Sequence, residues 1–275
     1  MLHLTKHHGL GNDFLVALAE RNPGLVPDPA VARALCDRHL GIGADGLLHA
    51  LAPDRPGADA RMVLLNADGS EAEISGNGIR CLAQAILMAA DRTEGDLLID
   101  TPGGRRRVRV LGGDVRGVAL LEVDMGGVRA GPALTPDAAA EPAANRATVD
   151  VGNPHLVLQV DDVDAVDLEE VGPRLEAGFA AGINVHVVEP AGPSGLRLRV
   201  WERGVGITRA CGSGAVAAAA AAHGWGVVGN EVTVTMPGGD ATVVLTADGA
   251  LLAGPSTYVA EVTVPHDPRG GGRDR

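Results

Sequence analysis

The chain has 275 residues, 45% hydrophobic and 21% charged, a balance that suits two globular domains of ordinary size and excludes a disordered polypeptide. A formal net charge of −12 leaves no basic face to neutralise phosphates, so nucleic acid is not expected as a partner. No apolar run approaches the ~20 residues of a membrane span, and the N-terminus lacks the basic-then-apolar order of a signal peptide. The three cysteines, Cys36, Cys81 and Cys211, are too widely spaced for a disulfide framework or a metal site, so a cytoplasmic protein without a membrane partner is expected.

In chain order, a short strand-like segment first delivers Lys6, the only lysine present. A pyridoxal-phosphate enzyme needs a lysine for its Schiff base, and Lys6 has no phosphate cradle beside it; neither that cofactor nor any other is expected. Asp28-Pro29, then Ala30 to Leu40, closed by Gly41, predicts a capped helix. The letters Gly41-Ile42-Gly43-Ala44-Asp45-Gly46 match a dinucleotide fingerprint, but a helix precedes them and strand-like Leu47 to Leu51 follows. That order is reversed, so the segment is a connecting turn. Arg61 to Leu65 reads as a strand leading into the turn-rich Asn66-Ala67-Asp68-Gly69-Ser70. After Ser75-Gly76-Asn77-Gly78, the residues Ile79, Leu82, Ala83, Ile86, Leu87 and Ala90 share one helical face. Leu97 to Asp100 and Arg105 to Leu111 then flank a turn at Thr101-Pro102-Gly103-Gly104, with Arg105-Arg106-Arg107 on a solvated strand or turn.

Val118 to Val123 opens a second half with the same plan: strands at Ala147 to Val151 and Leu156 to Val160, a helix near Leu168 to Ala177, and strands at Ile183 to Val188 and Leu196 to Trp201. Cys211-Gly212-Ser213-Gly214 opens a helix of almost pure alanine, Ala215 to Ala222. Small residues on every side predict burial within a sheet or barrel-like layer. The tail from Pro265 to Arg275 is expected to fray.

Three landmarks recur in the same order at similar offsets. Gly11-Asn12-Asp13-Phe14, Ser75-Gly76-Asn77-Gly78 and Thr101-Pro102-Gly103-Gly104 are matched by Gly152-Asn153-Pro154-His155, Cys211-Gly212-Ser213-Gly214 and Met236-Pro237-Gly238-Gly239. The pattern indicates an internal duplication, with residues 1–117 carrying Ser75, 263–275 available to complete that half, and residues 118–262 carrying Cys211. A cysteine at a helix start meets oriented N–H groups and the positive end of the dipole, which favours thiolate. If the halves pack about a pseudo-twofold, Ser75 and Cys211 confront one substrate carbon. One side would then remove an α-proton and the other return it, while N–H groups stabilise the developing charge. Taken by themselves, His155 is as much a core histidine as a functional one, and Glu202 beside Arg203 is a surface pair.

Lys6-His7-His8-Gly9-Leu10-Gly11-Asn12-Asp13-Phe14, Asn66-Ala67-Asp68-Gly69-Ser70, Gly76-Asn77-Gly78, Val151-Gly152-Asn153-Pro154-His155, Trp201-Glu202-Arg203-Gly204 and Ala210-Cys211-Gly212-Ser213-Gly214 together resemble the diaminopimelate epimerase family. The resemblance implies an α/β fold of two pseudo-symmetric halves, each a mostly antiparallel barrel-like sheet around a central helix. It implies cofactor-independent interconversion of L,L- and meso-diaminopimelate on the route to lysine and peptidoglycan. Cys211 then matches one catalytic cysteine, and Ser75 stands where the family has the other. His155 and Glu202 match residues that tune the pair and position substrate. Asn12, Asn66, Asn153, Asn184 and Arg203 match substrate-binding positions, and Gly76, Asn77, Gly212 and Ser213 match the anion-binding helix starts. The expected partner is a small amino acid, and the resemblance is compatible with a homodimer. Serine is a far weaker acid than a thiol, which leaves two alternatives: a one-base elimination or proton-shift isomerisation through Cys211 alone, and a non-catalytic amino-acid binder.

Overall fold

The computed structural model describes residues 1–72 and 75–264, so the tail from Pro265 lies outside the described residues. Among the described residues two compact units are present, Met1–Val123 together with Pro255–Val264, and Asp124–Gly254. These limits differ from the expected 1–117 and 118–262 because two long strands each contribute to both units.

In chain order the elements are β1 (Leu2–Gly9), β2 (Asn12–Leu18), α1 (Pro29–Cys36), β3 (Gly46–Leu51), β4 (Ala60–Asn66), β5 (Glu71–Ala72), α2 (Gly76–Ala89), β6 (Asp96–Thr101), β7 (Gly104–Gly113) and β8 (Val118–Gly126). There follow β9 (Arg129–Ala130), α3 (Pro136–Ala140), β10 (Asn145–Asp150), β11 (Pro154–Gln159), α4 (Leu168–Ala177), β12 (Asn184–Pro190), β13 (Gly195–Glu202), β14 (Gly206–Thr208), α5 (Gly212–Gly224), β15 (Glu231–Met236), β16 (Gly239–Thr246) and β17 (Gly249–Val264). Both Pro-Gly-Gly landmarks are hairpin turns, joining β6 to β7 and β15 to β16. Helix α1 ends at Cys36 rather than at Leu40. Asp37 leaves helical backbone with ψ 125, and its carboxylate accepts from the amides of His39 and Leu40, both at 2.7 Å. A local side-chain turn here outcompetes a further helical turn.

Within the first unit, β1 pairs antiparallel with β2, β2 parallel with β3, β3 antiparallel with β4, β4 parallel with β6, and β6 and β7 antiparallel with their successors. Strand β17 pairs with both β8 and β1, and the ring closes. The second unit repeats the sequence of pairings: β10 to β11 antiparallel, β11 to β12 parallel, β12 to β13 antiparallel, β13 to β15 parallel, then β15 to β16 and β16 to β17 antiparallel. Even the short side strands correspond, β5 on β4 and β14 on β13. The duplication is therefore topological as well as sequential.

Each ring is filled by one helix. Helix α2 packs against β1, β2, β3, β4 and β7, with Ile79, Leu82 and Leu87 at most 1% exposed. Each such side chain contributes about 1.5–3 kcal/mol through removal from water. Helix α5 touches β10, β11, β12, β13, β15 and β16, and Gly212 to Ala219 are buried without a break. Alanine on all sides is what lets strands approach the helix from every direction. Among the described residues no helix is long and apolar enough to cross a membrane.

Candidate active site

Both helix starts use the same device. Ser75 is the N-cap of α2 in extended backbone, φ −142 and ψ 114, and its Oγ accepts the Gly78 amide at 2.9 Å. Cys211 is the N-cap of α5, φ −129 and ψ 114, and its Sγ accepts the Gly214 amide at 3.4 Å. In an α-helix the first amides have no acceptor within the helix, so each start offers donors to an anion.

Around Ser75 the first unit assembles a polar cluster. Asn77, 2% exposed, donates from Nδ2 to Asn12 Oδ1 at 3.2 Å and accepts at Oδ1 from Arg80 Nη2 at 2.7 Å. Asn12 in turn donates to Asp45 Oδ2 at 2.7 Å. Arg80 is fully buried, which lowers its pKa to about 10, and its Nε and Nη1 find no partner among the described residues. Asn66 lies opposite Gly46 on the β3–β4 ladder and donates to Ser70 Oγ at 3.0 Å. The next amide, Ala67, donates to the Asp45 carbonyl at 2.9 Å, tying that turn to the residue that holds Asn12. Ser75, Gly76, Asn77, Asn12 and, through Asp45, Asn66 are thus linked.

In the second unit Cys211 is 5% exposed, with Ser213 Oγ at 3.6 Å from its sulfur. The expectation that the helix start favours thiolate is overturned here. Burial pushes the Cys211 thiol well above its ordinary value, and the Glu202 carboxylate pushes it further, against weaker help from Ser213 and the Gly214 amide. The resting group is a thiol. Glu202 also accepts from Thr208 Oγ1 at 2.5 Å. Asn184, 4% exposed, donates to the Pro154 carbonyl at 2.9 Å and accepts from the Arg203 amide at 3.0 Å. The Arg203 guanidinium donates to the Ala181 carbonyl at 3.0 Å.

His155 is fully buried between Asn153 Oδ1, 2.8 Å from its Nε2, and His186 Nε2, 2.7 Å from its Nδ1. Burial holds its pKa well below the ordinary imidazole value, with His186 and Arg203 acting in the same direction. His186 was not among the residues expected from sequence. The signal lay in the repeat: β2 meets β3 with Phe14 opposite Gly46, and β11 meets β12 with His155 opposite Asn184. Two residues on, Leu48 in one unit corresponds to His186 in the other, so a polar side chain replaces an apolar one.

Gly214 seats α5 on that imidazole. A Cβ at residue 214 would lie 2.4 Å from His186 Cε1, and the helix backbone cannot move away. Gly214→Ala should therefore cost about 2–3 kcal/mol in urea unfolding. Gly224→Ala, where an added Cβ would meet no other part of the described chain within 4 Å beyond its own helix, should be neutral or slightly stabilising. Equal stability of the two variants would contradict this packing.

Comparison with known proteins gives concordant results. The family described as diaminopimelate epimerase matches residues 4–130 and 147–259. A diaminopimelate epimerase from Rhodospirillum centenum is 40% identical over 263 residues, covering 91% of this chain and 88% of its own. One from Cyanothece sp. is 40% identical over 283 residues, covering 94% and 98%. A solved probable proline racemase from Agrobacterium radiobacter superimposes with a TM-score of 0.75 at 18% identity, covering 98% of this chain and 95% of its own, a likeness of fold.

Proposed function

Because the chain belongs to the diaminopimelate epimerase family and is a cofactor-independent amino-acid epimerase, we propose that its substrate pair is L,L- and meso-diaminopimelate, in the synthesis of lysine and peptidoglycan. Cys211 and Ser75 are the two proton-handling groups. The observation that carries this assignment is the equivalence of their settings: each is an extended N-cap accepting from the amide three residues on, at the start of the helix that fills its unit.

Inversion at an α-carbon needs one group to take the proton and another to return one from the opposite face. The α-hydrogen leaves as a proton, its electron pair delocalises into the carboxylate, and the first-turn amides at Gly76 and Asn77 and at Gly212 and Ser213 stabilise that charge. Asn12, Asn66, Asn153, Asn184 and Arg203 orient the substrate, Arg203 by its fit to a carboxylate. Glu202 and His155 tune and position the Cys211 side. Since the Cys211 thiol is protonated at rest, it is the competent donor, and loss of the α-proton is the slow event. The three free cysteines fit a reducing cytoplasm, and a homodimer is the assembly the resemblance favours.

Ser75 favours one competing assignment, a one-base isomerisation or elimination through Cys211. Incubation with each diaminopimelate isomer in deuterium oxide decides between them. Deuterium at the α-carbon of both isomers is the expected result, and Cys211→Ala should abolish it. Label in one isomer only supports the one-base reaction. Ligand-induced thermal stabilisation without any exchange would identify a binder.

A further inference from the structure

The buried imidazole pair in the second unit has a defined polarity. His155 Nε2 lies 2.8 Å from Asn153 Oδ1, an acceptor, so that nitrogen carries the hydrogen. The other nitrogen of neutral His155 is then an acceptor, and His186 Nε2, 2.7 Å away, must donate to it. His186 Nδ1 is left as a bare lone pair, consistent with its having no partner among the described residues, against the glycine-lined start of α5. The opposite polarity would put an N–H at that same buried nitrogen with nothing to accept it, a rarer and costlier defect.

We propose that His186 is a positioning residue: through His155 it fixes the Asn153 amide with its carbonyl turned toward the imidazole, leaving the Nδ2 hydrogens for a substrate carboxylate. The role rests on Asn153 contacting substrate, as proposed above. The fold itself does not require the pair. In the first unit the corresponding positions are Phe14 and Leu48, and the corresponding Asn12 has its own amide satisfied by Asn77 and Asp45. Leu48 packs against the start of α2 much as His186 packs against α5, 3.5 Å from where a Cβ on Gly78 would be. Two buried imidazoles are therefore an addition to one copy of the repeat, and they lead in series, His186 to His155, to the Asn153 amide.

Two variants and one spectrum test the relay. His186→Leu installs the side chain that the first unit uses there, and His186→Gln keeps an N–H donor at similar reach. For diaminopimelate turnover, His186→Leu should raise KM by ~10-fold or more with kcat within about threefold, the mark of lost binding common to ground and transition states. His186→Gln should bring KM back to within about threefold of the native value. Nitrogen NMR of the unliganded native protein should show both imidazoles protonated at Nε2. His155 protonated at Nδ1, or a glutamine variant no better than the leucine one, would overturn the relay. Absence of diaminopimelate turnover alongside the expected tautomers would sink the substrate assignment and leave the relay standing.

Discussion

Replacing Ser75 with cysteine should raise the rate of diaminopimelate epimerisation by on the order of 10²–10⁴, the span that a competent general base adds. The native site lacks an easily ionised group: Ser75 is a hydroxyl, and the Cys211 thiol is held protonated by burial and by Glu202. Position 75 is less enclosed than position 211, with Ser75 only half-buried. A thiol there bears a smaller desolvation penalty and keeps the helix start that favours thiolate. The N-cap geometry accepts sulfur, as Cys211 demonstrates on the amide of Gly214. Steady-state assays in both directions, with Ser75→Ala as the low reference, provide the measurement. An unchanged or lower rate in Ser75→Cys would mean that residue 75 is not a proton-handling group.

Acidification should unfold the protein through its histidines before its carboxylates. Burial lowers His7 and His49 to about 4 and His186 to about 3, and holds His155 well below its ordinary value. Each is neutral in the folded chain and titrates near 6.5 once unfolded. The unfolded state thus binds more protons, so this stability is complete above about pH 6.5 and is lost as pH falls toward 4. Each group contributes a slope of up to about 1.4 kcal/mol per pH unit, and together they give on the order of 3–5 kcal/mol per unit at the steepest. Asp13, whose burial would raise it, is instead held below its ordinary value by Arg38 and Lys6, and adds its loss only at lower pH. Urea midpoints between pH 7.5 and 4.5 check this, and a flat profile from 7 to 5 would refute it. His186→Gln should make the profile shallower.

The repeat was legible because it rests on local chemistry: glycines, N-caps and Pro-Gly-Gly turns announce themselves within a few residues. Ser75, Cys211 and the helices behind them followed from that grammar, as did the burial of the alanine helix. What escaped depended on partners distant in the chain. His186 meets His155 only because β11 and β12 pair in parallel, and no nearby residue marks it. Arg80 resembles an ordinary polar position until the ring closes over α2. The protonation of Cys211 was misjudged for the same reason, since a helix terminus is visible in sequence but the burial and the Glu202 charge that outweigh it are not. The early end of α1 turned on Asp37, whose side chain competes with the backbone in a way that helix periodicity does not register.

Strand β17 begins against β16 in one unit and ends against β1 in the other. As the polypeptide leaves the ribosome, the first ring therefore exists with two raw edges, at β1 and β8, throughout the making of the second. Only β17 can seal it, so a nascent chain stalled before Pro255 would present open hydrogen-bonding edges to chaperones and to its neighbours.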